Sequence, residues 1–342
     1  MSILQAFRIG FRQTWQAKRM VFFAWIVNLV LALTVALPIV NLLDEYIAGT
    51  VYEEKLLDGL DSNWFDTFRA DHREHSLVRS FDYTITGYAP FFAHYEMFLS
   101  GAVLKAIGNF LVDLVFRWRI AVESLGPLTI LTFVYLLAST FLAGSFIGSF
   151  AKPYQVTFQE FLMEGAKYFG KFFRISLVFL IIGLVFFEGI VDWWTGSIPS
   201  MTQDSPSEWT PFVHYMTRNA VVLIVLGVLT LWFDYAKIRT VVDDRFSAVF
   251  ATWAGLRFVF SNFGATAGLF LLLVGIGLGF MVLYALLQST FSVSGYWSMV
   301  LLFFLQQLYI AARLAVRAMA YASQTQLYQS RINREHRAES VP

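Results

Sequence analysis

The chain has 342 residues and no cysteine; 57% of it is hydrophobic, 18% aromatic and only 14% charged, and the formal net charge is +1. That balance excludes an ordinary soluble domain and predicts an all-α, polytopic membrane helical bundle. Near-neutral charge without a phosphate-cradling glycine loop or a basic reading helix excludes nucleic acid as a partner, and the lack of cysteine excludes disulfides and thiolate chemistry.

Met1 to Met20 is basic and amphipathic, and it is expected to be retained because the apolar run behind it is too long for a signal-peptide core. From Val21 to Leu43 there are 23 residues without a charge, enough at about 1.5 Å per residue to cross a hydrocarbon core of about 30 Å. This predicts span one over 21–43, with Asn28 inside it and Pro38 tolerated near its outer end.

Residues 44–126 read as an extracytoplasmic loop. Its first half is acidic and turn-rich, with Glu53, Glu54, Asp58 and Asp61. Over 90–123 the pattern becomes helical: Leu104, Ile107, Leu111 and Leu114 form one side, and Lys105, Asn109, Asp113 and Arg117 recur every fourth residue. The reading is an amphipathic helix at the membrane interface or packed over the spans, because each charge at bilayer depth costs roughly 2.5–3.5 kcal/mol.

Span two is predicted over 128–150, with Gly144 and Gly148 as a small-xxx-small packing pair at its inner end. The segment from Lys152 to Arg174 is aromatic and basic and reads as an interfacial helix feeding span three, 172–194, which closes on the aromatic belt of Trp193 and Trp194. Span four is expected over 214–236. The next 55 residues from Phe258 carry no charge, a length suited to a hairpin of spans five (264–287) and six (296–320) split at Gln288–Gly295. Gly264, Gly268, Gly275 and Gly279 make two GxxxG pairs, so span five is expected to be the buried central helix. Residues 323–342 read as a polar cytoplasmic tail.

Six spans place both termini on one side, and 17 of the 25 Lys and Arg then fall on that side. The positive-inside rule makes it the cytoplasm. The whole chain reads as a single membrane domain, with three interfacial starts at Gly10-Phe-Arg12, Gly165-Ala-Lys167 and Gly255-Leu-Arg257 that suggest a threefold internal repeat.

Asp234, at the inner end of span four, is a carboxylate at membrane depth, and an intramembrane ionisable group is a functional-site hypothesis by default. Lys237, Arg313 and Arg317 are its expected partners, forming either a structural ion pair or a coupled-ion or substrate site. His72 and His75, among acidic residues, are the only metal candidates, and their spacing departs from the two-histidine helical motif. His94 and Glu96 read as the start of an amphipathic helix. No cofactor motif and no convergent acid/base set appears.

The runs Ala24-Trp-Ile-Val-Asn-Leu-Val-Leu-Ala-Leu, Ala36-Leu-Pro38, Phe141-Leu-Ala-Gly-Ser-Phe-Ile-Gly and Phe161 through Phe173 resemble a broad group of uncharacterised bacterial six-span inner-membrane proteins. The resemblance implies a location in the cytoplasmic membrane and transfers no site residues. The expected function is a non-enzymatic scaffold for membrane lipids, a membrane-protein partner or a second copy of the chain. The alternatives are a transporter or permease component and an enzyme acting on lipid-linked substrates.

Overall fold

A computed structural model describes residues 1–50, 62–72, 99–117, 127–205, 207–244, 247–291 and 296–339. Among them the fold is all-α and without strands. The helices are α1 (Ile3–Gln16), α2 (Lys18–Ile47), α3 (Ser62–Asp71), α4 (Ala102–Phe116), α5 (Pro127–Ala151), α6 (Phe158–Leu184), α7 (Asp192–Thr202), α8 (Trp209–Val242), α9 (Ala248–Ser261), α10 (Phe263–Thr290) and α11 (Tyr296–Glu339). A π-helical turn, Val185–Val191, joins α6 to α7 without a break. Six of these helical runs are long and apolar enough to cross a membrane: α2, α5, α6 through α7, α8, α10 and α11. In hydrocarbon a helix is the one open-ended element that satisfies its own backbone, which is why the charge-free runs fold this way.

The chain forms two compact units. The first holds residues 1–59, 134–175 and 231–342. Its α1 opens on a capping box: Ser2 N–H donates to Gln5 Oε1 at 3.0 Å, and Gln5 N–H donates to Ser2 Oγ at 3.3 Å. The same device starts α6, where Thr157 N–H donates to Glu160 Oε2 at 2.7 Å and Glu160 N–H to Thr157 Oγ1 at 3.3 Å.

The centre of this unit is the stretch 318–328 of α11. Ala318, Ala322, Ser323, Gln324, Thr325, Leu327 and Tyr328 are each at most 1% exposed. Residues 323–342 are therefore not a solvated tail over their first part: α11 runs on without interruption, and its small side chains let α1 close on it. Ala6, Leu269, Leu273, Met319, Ala320 and Leu327 form one apolar cluster between α1, α10 and α11. Gln326 Nε2 and Gln329 Nε2 donate to the Phe150 and Ala151 carbonyls at 3.3 and 2.9 Å, satisfying acceptors that the end of α5 leaves open.

Gly10, Gly165 and Gly255 occupy comparable places in this unit. A Cβ at Gly10 would lie 2.7 Å from the Ser323 backbone nitrogen on α11, and one at Gly255 would lie 2.8 Å from the Ala236 nitrogen on α8. Gly165 faces Ser145 and Phe141 on α5. Each of these glycines thus packs against a long apolar helix: Gly10 on α11, Gly165 on α5 and Gly255 on α8.

The second unit holds residues 60–133 and 176–230. In α3, Trp64 and Phe68 are buried and stacked at 5.4 Å. The predicted helix over 90–123 is represented by α4, since 90–98 and 118–123 lie outside the described residues. Gly101, at φ +68, turns the chain into α4 against the Phe187 ring, a conformation that costs glycine little. Leu104 packs on the cluster of Leu99, Phe186, Phe187, Val191 and Val222. The lysine of the polar stripe, Lys105, reaches Asp192 at 2.7 Å, so that stripe does not simply face solvent.

Span five differs from its expectation. On α10 only Thr266, Leu269 and Leu273 are buried, and its most apolar stretch is 11% buried. Open space surrounds the Cβ positions of Gly264, Gly275 and Gly279, and only Gly268 meets a neighbour, Ile3 Cδ1 at 2.7 Å. GxxxG permits close approach of two backbones; among the described residues no helix takes up the offer at those three glycines.

Candidate functional site

The charged residues singled out from the sequence converge where α8 and α11 meet. Asp234 sits at the end of the charge-free core of α8 and is 1% exposed. Arg317 of α11 grips it with both terminal nitrogens, NH2 to Oδ1 at 2.8 Å and NH1 to Oδ2 at 3.2 Å. A two-pronged bond of this kind is what a desolvated carboxylate requires, because isolation of the charge would cost several kcal/mol. The Arg317 side chain stays 43% exposed, so the pair is buried on its acidic side and open on its basic side.

Lys237, one turn further along α8, is also buried. Its ammonium lies 3.5 Å from the centroid of the Phe233 ring and 6.0 Å from that of Phe172, an aromatic cradle that replaces part of the lost hydration. Arg313 does not reach the carboxylate. It lies over Tyr309 at 5.8 Å, while Arg317 lies over Tyr321 at 4.5 Å. Tyr309 is itself stacked on Tyr284 of α10 at 4.6 Å.

A second polar layer joins α8 to α9 and α11. Arg239 Nε donates to Asp243 Oδ2 at 2.9 Å and Arg239 NH1 to the Ala254 carbonyl at 2.9 Å. The Tyr328 hydroxyl donates to the same Asp243 carboxylate at 3.2 Å. Lys152 meets Glu164 at 2.8 Å, a bond that raises the Lys152 pKa above the usual lysine range. Lys171 donates to Asp244 at 2.9 Å and, by that hydrogen bond and its charge, lowers the Asp244 pKa below the usual carboxylate range.

Gly144 and Gly148 lie at the contact of α5 with α6. A Cβ at the first would meet the Gly165 carbonyl oxygen at 3.4 Å, and one at the second would meet Glu164 Cβ at 2.8 Å. His72 donates Nδ1–H to the Phe68 carbonyl at 2.9 Å and caps the end of α3. His75, with His94 and Glu96, lies outside the described residues, and among those described no group of three acidic or histidine side chains is placed to hold a metal. Sequence reasoning missed the tyrosines around the arginines, although their signal was present: Tyr309, Arg313, Arg317 and Tyr321 recur every fourth residue, on one face of a helix.

Fold and site together define, among the described residues, an all-α chain with six membrane-length apolar helices and a charged cluster where α8 meets α11. Comparison with protein-family models, curated proteins and solved structures finds no match.

Proposed function

We propose that this chain is a non-enzymatic scaffold of the bacterial cytoplasmic membrane, with both termini in the cytoplasm, that holds membrane lipids or a membrane-protein partner against its spans. The observation that carries this reading is a contrast within single helices. Residues 318–328 of α11 are almost wholly buried, while no part of its most apolar stretch is, and the corresponding stretches of α10 and α2 are 11% and 18% buried. Water drives burial of the part of α11 outside the bilayer; inside it, lipid is as apolar as leucine, and helices separate without penalty. A chain that locks its inner ends and leaves its spans uncovered offers lateral surface.

The same reading includes a threefold repeat, supported by the three glycine contacts. Each interfacial segment sits on the returning span of the preceding unit, with α1 closing the cycle on α11. Photo-crosslinking residues at Leu278 and Leu301, 52% and 55% exposed, would test the scaffold in native membranes. The expected product is a discrete adduct with lipid or with one membrane protein at either position, and crosslinking to neither overturns the proposal.

Transport is the second reading, favoured by one observation, the buried carboxylate of Asp234 on a spanning helix. Proton- or sodium-driven uptake into vesicles that disappears in Asp234→Asn, with the amount of protein unchanged, would replace the scaffold by a transporter.

A further inference from the structure

We propose that the face of α11 formed by Tyr309, Arg313, Arg317 and Tyr321 binds the phosphate headgroup of an anionic phospholipid. The inference deepens the lipid part of the function proposed above and rests on the chain being embedded in a bilayer. Location comes first. Counted from Tyr296 at about 1.5 Å per residue, Arg313 and Arg317 stand about 26 and 32 Å along the helix, at the far boundary of a hydrocarbon core of about 30 Å. Lipid phosphates lie at that level.

Charge comes second. Of Arg313, Arg317 and Lys237, only Arg317 bonds the Asp234 carboxylate, and Arg313 has no carboxylate partner among the described residues. Two arginines four residues apart on a helix repel each other, and an anion between them turns that repulsion into attraction. Donor count comes third. A guanidinium has five N–H groups; Asp234 takes one from each terminal nitrogen of Arg317 and the Tyr321 hydroxyl one more, which leaves part of a half-exposed fork for a second oxyanion.

Aim comes last. The Tyr309 ring, held by its stack on Tyr284, and the Tyr321 ring fix the two guanidiniums by their faces, so little rotamer freedom is left to lose on binding. Arginines that merely satisfied the positive-inside rule would need neither these platforms nor the buried carboxylate.

The test uses the full-length chain in detergent micelles and native mass spectrometry with phosphatidylglycerol, phosphatidylcholine or inorganic phosphate added. At about 1 kcal/mol per basic residue near the surface, Arg313→Gln is expected to lower retained phosphatidylglycerol about fivefold and leave phosphatidylcholine unchanged. Arg313→Lys, which keeps the charge, should recover part of the loss, and Arg8→Gln, on the exposed side of α1, should cause none. Equal retention of the two lipids, an unaltered preference in Arg313→Gln, or an equal loss in Arg8→Gln overturns the site. Displacement of the lipid by millimolar inorganic phosphate also overturns it, in favour of a free-phosphate site. A lipid preference without any crosslinked partner leaves this site standing and removes the protein-partner half of the scaffold; a crosslinked partner without lipid preference does the reverse.

Discussion

The Asp234–Arg317 pair is asymmetric, and the asymmetry sets what each substitution does. Arg317→Met leaves a 1% exposed carboxylate with its guanidinium gone, which should cost about 3–5 kcal/mol of stability. Asp234→Asn leaves a guanidinium that is already 43% exposed and still rests on the Tyr321 ring, so about 1–2 kcal/mol is expected. Thermal unfolding in micelles should rank Arg317→Met well below Asp234→Asn, and the reverse order would mean that the carboxylate has another route to solvation. At Asp244 the prediction concerns pH. Its folded pKa is depressed by Lys171, so the stabilisation it contributes is present above the unfolded carboxylate value and disappears as pH falls through the lower folded value. Carboxyl NMR titration should show Asp244 returning to the ordinary range in Lys171→Gln. Asp234 was legible in the sequence as a lone acid at the end of an apolar run. Which of three cations would hold it was not, because that depends on the axial register of α11 against α8, which no local pattern records.

At the scale of helices, two sets of glycines with similar sequence context do opposite things. Gly255 packs on the Ala236 backbone and Gly275 faces open space. Gly255→Ala therefore forces backbone apart and should destabilise by about 1–3 kcal/mol, whereas Gly275→Ala should be neutral or gain up to about 1 kcal/mol from lost chain entropy. Melting temperatures of the two variants check both signs at once; a severe loss at Gly275 would mean that a helix from another chain packs there. The sequence reading placed span five in the centre because GxxxG is a licence for contact, and only the surrounding helices decide whether it is used. It read residues from Ser323 onward as a tail for the converse reason: Ser323, Gln324 and Thr325 look solvent-bound in composition, yet directly after Ala318, Ala320 and Ala322 they continue a narrow post. Ending the chain after Ala322 should abolish the folded state, seen as loss of the thermal transition, since Leu327 and Tyr328 are 0% exposed.

For the whole molecule, the periodicity of charge and hydropathy fixed the number of apolar runs, because burial in lipid demands length and little else. The packing of inner ends needed tertiary information. Their different driving forces make the topology testable apart from the stability. The chain has no cysteine, so single cysteines report cleanly. Ser2→Cys, before α1, and Tyr154→Cys, between α5 and α6 and 55% exposed, precede odd-numbered crossings and belong on the side of the basic segments. Thr50→Cys and Ser207→Cys follow odd-numbered crossings and belong opposite. Membrane-impermeant maleimide applied to sealed right-side-out vesicles should modify the second pair and spare the first until the membrane is permeabilised. The π turn sharpens the outcome at Ser207. If α6, Val185–Val191 and α7 act as one continuous crossing, Ser207 labels from outside; if the turn folds the helix back within the bilayer, Ser207 stays with Tyr154, and five crossings would put the two chain ends on opposite faces.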